Sequence, residues 1–240
     1  MNHYLRLMIL AILVLIPAGF ILDATPQPDS VFYYGNTDRL ELLMQRAQVG
    51  NEITIAFIGG SITQGFGLAN STDGYTNLVS RWWIKHFTKS HFHIINDGIF
   101  GTGSADGAVR VQNHLLIHSP DLVIVEFAVN DLRRESDMES LIHKIYNSPS
   151  QPAILMLFFV ADFEGMIINA EDLQRPIGFK YRIPMVSMLY YVKPLLDKKK
   201  LVWSDFMRDD RHPNERGHKL AADLVNQLLA KSFSRCRLAH

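Results

Sequence analysis

Three short apolar runs set the rhythm of this chain. Ile53 to Ile58, Leu122 to Phe127 and Ala153 to Val160 are rich in β-branched residues and too short for helices. Such runs predict strands buried on both faces, as in a parallel sheet. His93 to Asn96 and Leu201 to Ser204 predict two weaker strands. The stretches between them have helical spacing. Asn36 to Val49 places Leu40, Leu43, Met44 and Ala47 on one stripe, and Gly50 ends it. Tyr75 to Thr88, Ser104 to Ile117, Ser136 to Tyr146 and Gly217 to Ala230 read as further helices. Strands alternating with helices predict a parallel sheet covered on both faces. Sheets of this kind bind ligands at the carboxyl ends of their strands. Ala161 to Pro184 lacks a clear period and reads as a long irregular segment, suited to a substrate loop or lid.

The N-terminus follows a different pattern. Met1 to Arg6 is positively charged, Leu7 to Leu22 carries no charge, and Asp23-Ala24-Thr25-Pro26 ends the stretch. The apolar run is short for a membrane span, which needs about 20 residues. It suits a secretory signal peptide cut after Ala24, or an uncleaved membrane anchor. Either places the rest of the chain in a secreted or periplasmic setting, or at the outer face of the inner membrane. Residues 1–24 are therefore set apart as a leader, 25–50 as a linker and leading helix, and 51–240 as the main domain. Lysine plus arginine and aspartate plus glutamate are both 24, which excludes a nucleic-acid binder driven by bulk charge. The single cysteine, Cys236, excludes an internal disulfide framework and a cysteine-based metal site. It reads as a free thiol in a basic terminal tail.

Candidate chemistry gathers where the predicted strands end. Ser61, in Gly59-Gly60-Ser61-Ile62-Thr63, follows the first strand. Backbone amides at the start of the next helix face the same space, which favours negative charge there. Serine after glycine also serves as a helix cap. Asp209 and His212 lie three residues apart in Asp209-Asp210-Arg211-His212-Pro213. A hydroxyl, an imidazole and a carboxylate are the three groups that acyl transfer through a serine requires. His212 also reads as a surface or turn residue, His218 is a rival base more suited to packing, and either aspartate suits a turn. Gly101 and Asn130 follow the second and third strands and offer a backbone and a side-chain N–H to an oxyanion. Other motifs are absent. Thr63 breaks the Gly-x-Ser-x-Gly elbow, no Gly-Lys-Ser/Thr follows, and no His-Glu-x-x-His supports a metal on His212 and His218. Of the neighbouring Trp82 and Trp83, about 100° apart on a helix, at least one belongs to the core.

Four blocks, in order, carry a resemblance. Gly-Gly-Ser-Ile-Thr around Ser61, Asn96-Asp-Gly-Ile-Phe-Gly101, Val129-Asn130-Asp131 and Asp209-x-x-His212 resemble those of the SGNH hydrolases, or GDSL esterases and lipases. Gly60 stands where the family usually has aspartate, and Ala128 where the third block has glycine. The resemblance covers roughly residues 51 to 230. It implies a three-layer α/β/α sandwich on a flavodoxin-like parallel sheet of about five strands, and ester hydrolysis without metal or other cofactor. It implies Ser61 as nucleophile, His212 as base, Asp209 as the acid orienting it, and Ser61, Gly101 and Asn130 as oxyanion donors. The block variants look most like bacterial members that act on acetylated polysaccharides. An acetylated carbohydrate is thus the expected partner and an acetylesterase the expected activity. An O-acetyltransferase, a lipase or thioesterase, and an inactive carbohydrate-binding protein are the alternatives.

Overall fold

The computed structural model describes residues 31–132 and 136–238. The leader read at residues 1–24 lies outside them. Five parallel strands form the central sheet: β1 (Glu52–Gly59), β2 (His91–Gly98), β3 (Leu122–Glu126), β4 (Ala153–Phe158) and β7 (Met185–Ser187). Their order is β2-β1-β3-β4-β7. A two-stranded hairpin, β5 (Ala161–Phe163) and β6 (Met166–Ile168), stands apart from the sheet.

The helices are α1 (Asp38–Gln48), α2 (Ser61–Gln64), α3 (Tyr75–His86), α4 (Ser104–His114), α5 (Met138–Tyr146), α6 (Glu171–Lys180), α7 (Met188–Asp197), α8 (Trp203–Phe206) and α9 (Glu215–Leu238). Alternate strand residues feed two cores. Ile53, Ile55 and Phe57 pack with α1, α3 and α9, whereas Ala56 and Ile58 pack with α4 and α5. This is the three-layer sandwich that buried, non-alternating strands require. Trp83 is fully buried in the first core, and Trp82 packs against its edge.

Three expectations are corrected. Leu201 to Ser204 is not a strand: Trp203 opens the short helix α8, and the Asp205 carboxylate accepts the Val202 amide at its start. The fifth strand is instead β7, and an antiparallel bridge from Tyr33 to Met185 covers it. Asp209 and His212 consequently follow a helix, not a strand. Ala161 to Pro184 is not irregular, since it folds into β5, β6 and α6. Cys236 is not in a loose tail. It is buried within α9, which runs well past residue 230. Among the described residues no helix is long and apolar enough to cross a membrane.

The chain runs from β1 to β2 on one side and reaches β3 on the other. The carboxyl ends of β1 and β3 therefore flank a switch in strand order, where open α/β sheets place their ligands.

Candidate active site

A cleft of about 400 Å³ opens at that switch point, lined by Ser61, Ile62, Phe100, Gly101, Val129, Asn130, Phe163, Arg211 and His212. Ser61 opens α2 directly after β1. Its side chain does not cap the helix. Its Oγ lies 3.1 Å from His212 Nε2 instead. The helix that Ser61 opens is a single turn, so it lacks the summed dipole of a long one, and any help to an anion comes from individual amides. Gly60, before it, has no room for a side chain. A Cβ there would sit 2.5 Å from Asn130 Oδ1.

His212 sits on a loop rich in internal hydrogen bonds. Asp209 accepts the amides of Arg211 (2.8 Å) and His212 (2.7 Å), so its carboxylate organises the turn. The same carboxylate lies 3.0 and 2.9 Å from His212 Nδ1. A carboxylate can only accept, so Nδ1 carries the proton and leaves Nε2 as acceptor for the Ser61 hydroxyl. Partial burial pushes Asp209 up. The Arg211 and His212 amides and the His212 ring outweigh it and hold the group down at about 2. Asp210 is exposed, and its carbonyl accepts the Asp162 amide. The loop closes through the Arg208 amide to the His212 carbonyl (2.9 Å) and a bridge between Met207 and Pro213.

Arg208 ties this loop to the turn after α2. It donates to the Gly67 carbonyl at 2.8 Å, and its guanidinium lies 5.4 Å over the Phe66 ring. Phe66 in turn lies 4.9 Å from the His212 ring and 4.8 Å from Phe100.

His218, the rival base, is fully buried. Its ring stacks on Tyr75, and its Nδ1 accepts the Tyr75 amide at 3.3 Å. Burial, with a smaller contribution from His212, pushes it down to about 4, so it is neutral at pH 7. It packs, as its place in α9 suggested.

Gly101 adopts φ of 73°, in the left-handed region that glycine enters without penalty, and lines the cleft. Asn130 is fixed through its neighbour. Asp131 accepts the Ser104 amide at 2.8 Å, the Ser136 hydroxyl at 3.1 Å and Gln174 Nε2 at 2.7 Å, which joins the β3 turn to α4 and α6.

Several supporting residues escaped the sequence reading. Arg110 on α4 pairs with Asp97 (2.9 Å) and also donates to the Gly59 carbonyl (2.9 Å), binding the ends of β1 and β2 together. Asn96 donates to the Thr63 carbonyl at 2.9 Å. Glu126, at the end of β3, accepts the Thr63 hydroxyl. Nothing local in the sequence pairs these residues, because each contact spans elements distant along the chain.

A hydroxyl, an imidazole and a carboxylate aligned at the carboxyl edge of a parallel α/β sandwich define the class of serine-type acyl hydrolases. The model of the GDSL-like Lipase/Acylhydrolase family matches residues 57–220, and the chain belongs to that family. It is similar to an acetylxylan esterase of Xylanibacter ruminicola, at 24% identity over 72% of this chain and 42% of that protein. It is also similar to thioesterase 1/protease 1/lysophospholipase L1 of Escherichia coli, at 23% identity over 79% of this chain and 88% of the other. Among solved structures, a two-domain esterase active on acetylated mannans superposes with a TM-score of 0.80 and 37% identity, covering 85% of this chain and 55% of that one. The acetylxylan esterase Axe2 of Geobacillus stearothermophilus shares the fold, with a TM-score of 0.61 at 18% identity. The chain thus spans under half of the Xylanibacter relative and just over half of the mannan esterase.

Proposed function

We propose that this protein is a serine esterase that removes acetyl groups from a carbohydrate. The observation that carries the reading is the line from Ser61 Oγ through His212 to Asp209, set in a cleft that Gly101 and Asn130 also line. His212 Nε2 takes the Ser61 proton as Oγ attacks the ester carbonyl. Asp209, ionised at every working pH, holds the tautomer and balances the imidazolium. The Ser61 and Gly101 amides and the Asn130 side chain donate to the oxyanion, each worth about 2–4 kcal/mol of barrier. His212 returns its proton to the departing sugar alcohol and then activates the water that frees Ser61. No step calls for a metal or another cofactor.

The carbohydrate part of the reading draws on the relatives that act on acetylated xylan and mannan. The cleft supports it. Arg211, next to His212, lies 5.2 Å over the Phe163 ring, and both line the cleft. A guanidinium beside an aromatic face suits a polyol better than an alkyl chain. We place the enzyme outside the cytoplasm, free or anchored through residues 7–22, on the charge and hydropathy pattern of its N-terminus. The test is release of acetate from acetylated mannan and xylan, beside nitrophenyl esters of increasing acyl length. Activity that rises with chain length and spares the acetylated glycans overturns the reading in favour of a lipase or thioesterase.

A further inference from the structure

Beneath the nucleophile turn lies a carboxyl group that the mechanism does not use. Glu126 ends β3 and pairs in register with Gly59, two residues before Ser61. It is fully buried. Its Oε2 accepts the Thr63 hydroxyl at 3.1 Å, and its Oε1 has no partner among the described residues. Thr63 sits on α2 with Ser61, and its Oγ1 lies 2.8 Å from Tyr75 Oη. A threonine hydroxyl has one proton to give, so Tyr75 donates to Thr63 as Thr63 donates to Glu126. The chain Tyr75–Thr63–Glu126 runs from α3, through the nucleophile helix, to the strand whose following turn bears Asn130. One carboxyl therefore joins the hydroxyl's support to the oxyanion donor's support.

The charges around Glu126 do not favour its ionisation. Asp131, in the turn after β3, repels a carboxylate there. Tyr75 from α3 and His218 from α9 are buried and neutral. Arg110 from α4 is held by Asp97 of β2 and by the Gly59 carbonyl. Burial is the largest influence and raises Glu126. The Thr63 hydroxyl lowers it, Asp131 raises it, and the Gly60 amide lowers it, leaving the group at about 8.

Resting on the serine-esterase reading, we propose that Glu126 is a positioning residue that supports turnover only while neutral. Ionised, it sets an uncompensated negative charge behind the turn where the oxyanion must form. The site then opposes the charge that its amides are placed to stabilise. Ordinary triad esterases need only a deprotonated histidine, so their turnover levels off at alkaline pH. This enzyme's turnover falls again.

The experiment measures kcat and KM on nitrophenyl acetate from pH 5 to 10, corrected for uncatalysed hydrolysis, with far-UV circular dichroism at each pH. Wild-type kcat falls above about pH 8 with KM little changed and the fold intact. Glu126→Ala loses at least roughly 30-fold in kcat, and Glu126→Gln recovers most of it because an amide also accepts from Thr63. Glu126→Gln shows no alkaline fall. Thr63→Val gives an arm that does not depend on folding with an altered carboxyl. Loss of the lowering hydroxyl moves the fall to higher pH. A wild-type plateau to pH 10, an unchanged fall in both Glu126→Gln and Thr63→Val, or a fall that tracks loss of circular dichroism overturns the proposal. Ser61→Ala separates the two readings. Acetate release that survives it removes the esterase mechanism and the Glu126 proposal together, whereas release that it abolishes leaves the pH profile to decide on Glu126 alone.

Discussion

The two halves of the candidate site are held by different means. Ser61 stands on the buried ends of β1 and β3, gripped from below by Arg110, Asn96, Thr63 and Glu126. His212 stands on an exposed loop ordered by its own hydrogen bonds to Asp209, by the Arg208 clamp, and by single bonds from the Asp162 amide and the Trp203 indole to its carbonyls. Substitutions beneath the nucleophile should therefore cost stability and activity together. Those in the base loop should cost activity with little loss of stability. The position of Ser61 belongs to the ends of the sheet, and that of His212 mainly to its own loop.

The largest effect tests the nucleophile itself. Ser61→Ala should lower turnover by at least about 10³-fold with an unchanged melting profile, because the side chain packs little. A phosphonofluoridate adduct mapped by mass spectrometry should fall on Ser61. Retained turnover would remove the serine from the mechanism.

Next comes the contrast between two arginines. Arg110→Ala leaves Asp97 buried with only His114 Nδ1 at 3.0 Å, and should cost about 3 kcal/mol in denaturant unfolding. Arg208→Ala removes an exposed clamp and should cost under about 1 kcal/mol, yet lower turnover several-fold as His212 loosens. Equal stability losses would erase the distinction between the two regions.

Asn130→Ala should lower kcat by about 10²-fold with a smaller change in KM, since the oxyanion exists only near the transition state. A change confined to KM would make it a ground-state contact. Asp209→Asn should reduce turnover well beyond Asp210→Asn, because only Asp209 reaches His212 Nδ1. Turnover of the two variants measured side by side decides this, and a larger loss at 210 would move the acid.

The smallest effect is on stability in acid. Asp209 has a folded value near 2, below its ordinary 3.8, so its contribution is present above about pH 4 and fades as pH falls through 2. Nearly half the side chain is exposed, so the contribution should stay under about 1 kcal/mol. Melting temperatures of wild type and Asp209→Asn should converge as pH drops over that window.

How far the sequence could be read follows the same division. The base loop was legible because Asp209 and His212 interact across three residues, a distance that a motif can record. Strands β1, β3 and β4 were legible because burial on both faces leaves only apolar residues. Strand β7 was not, since Met185-Val186-Ser187 is too short to show a pattern. Helices α6 and α7 carry Pro176 and Pro194 in their interiors, where proline ordinarily breaks a helix. Leu201 to Ser204 misled because a brief apolar run fits a strand or a helix start equally well. Glu126, Thr63 and Arg110 could not be seen at all, since their partners are brought close only by the finished sheet.

Gly60 carries a consequence for how this sequence can drift. Its missing side chain is the space that Asn130 fills, so positions 60 and 130 are not independent letters of a signature. A residue with a side chain at position 60 fits only together with a different placement of the Asn130 amide, so the two positions are read as a pair.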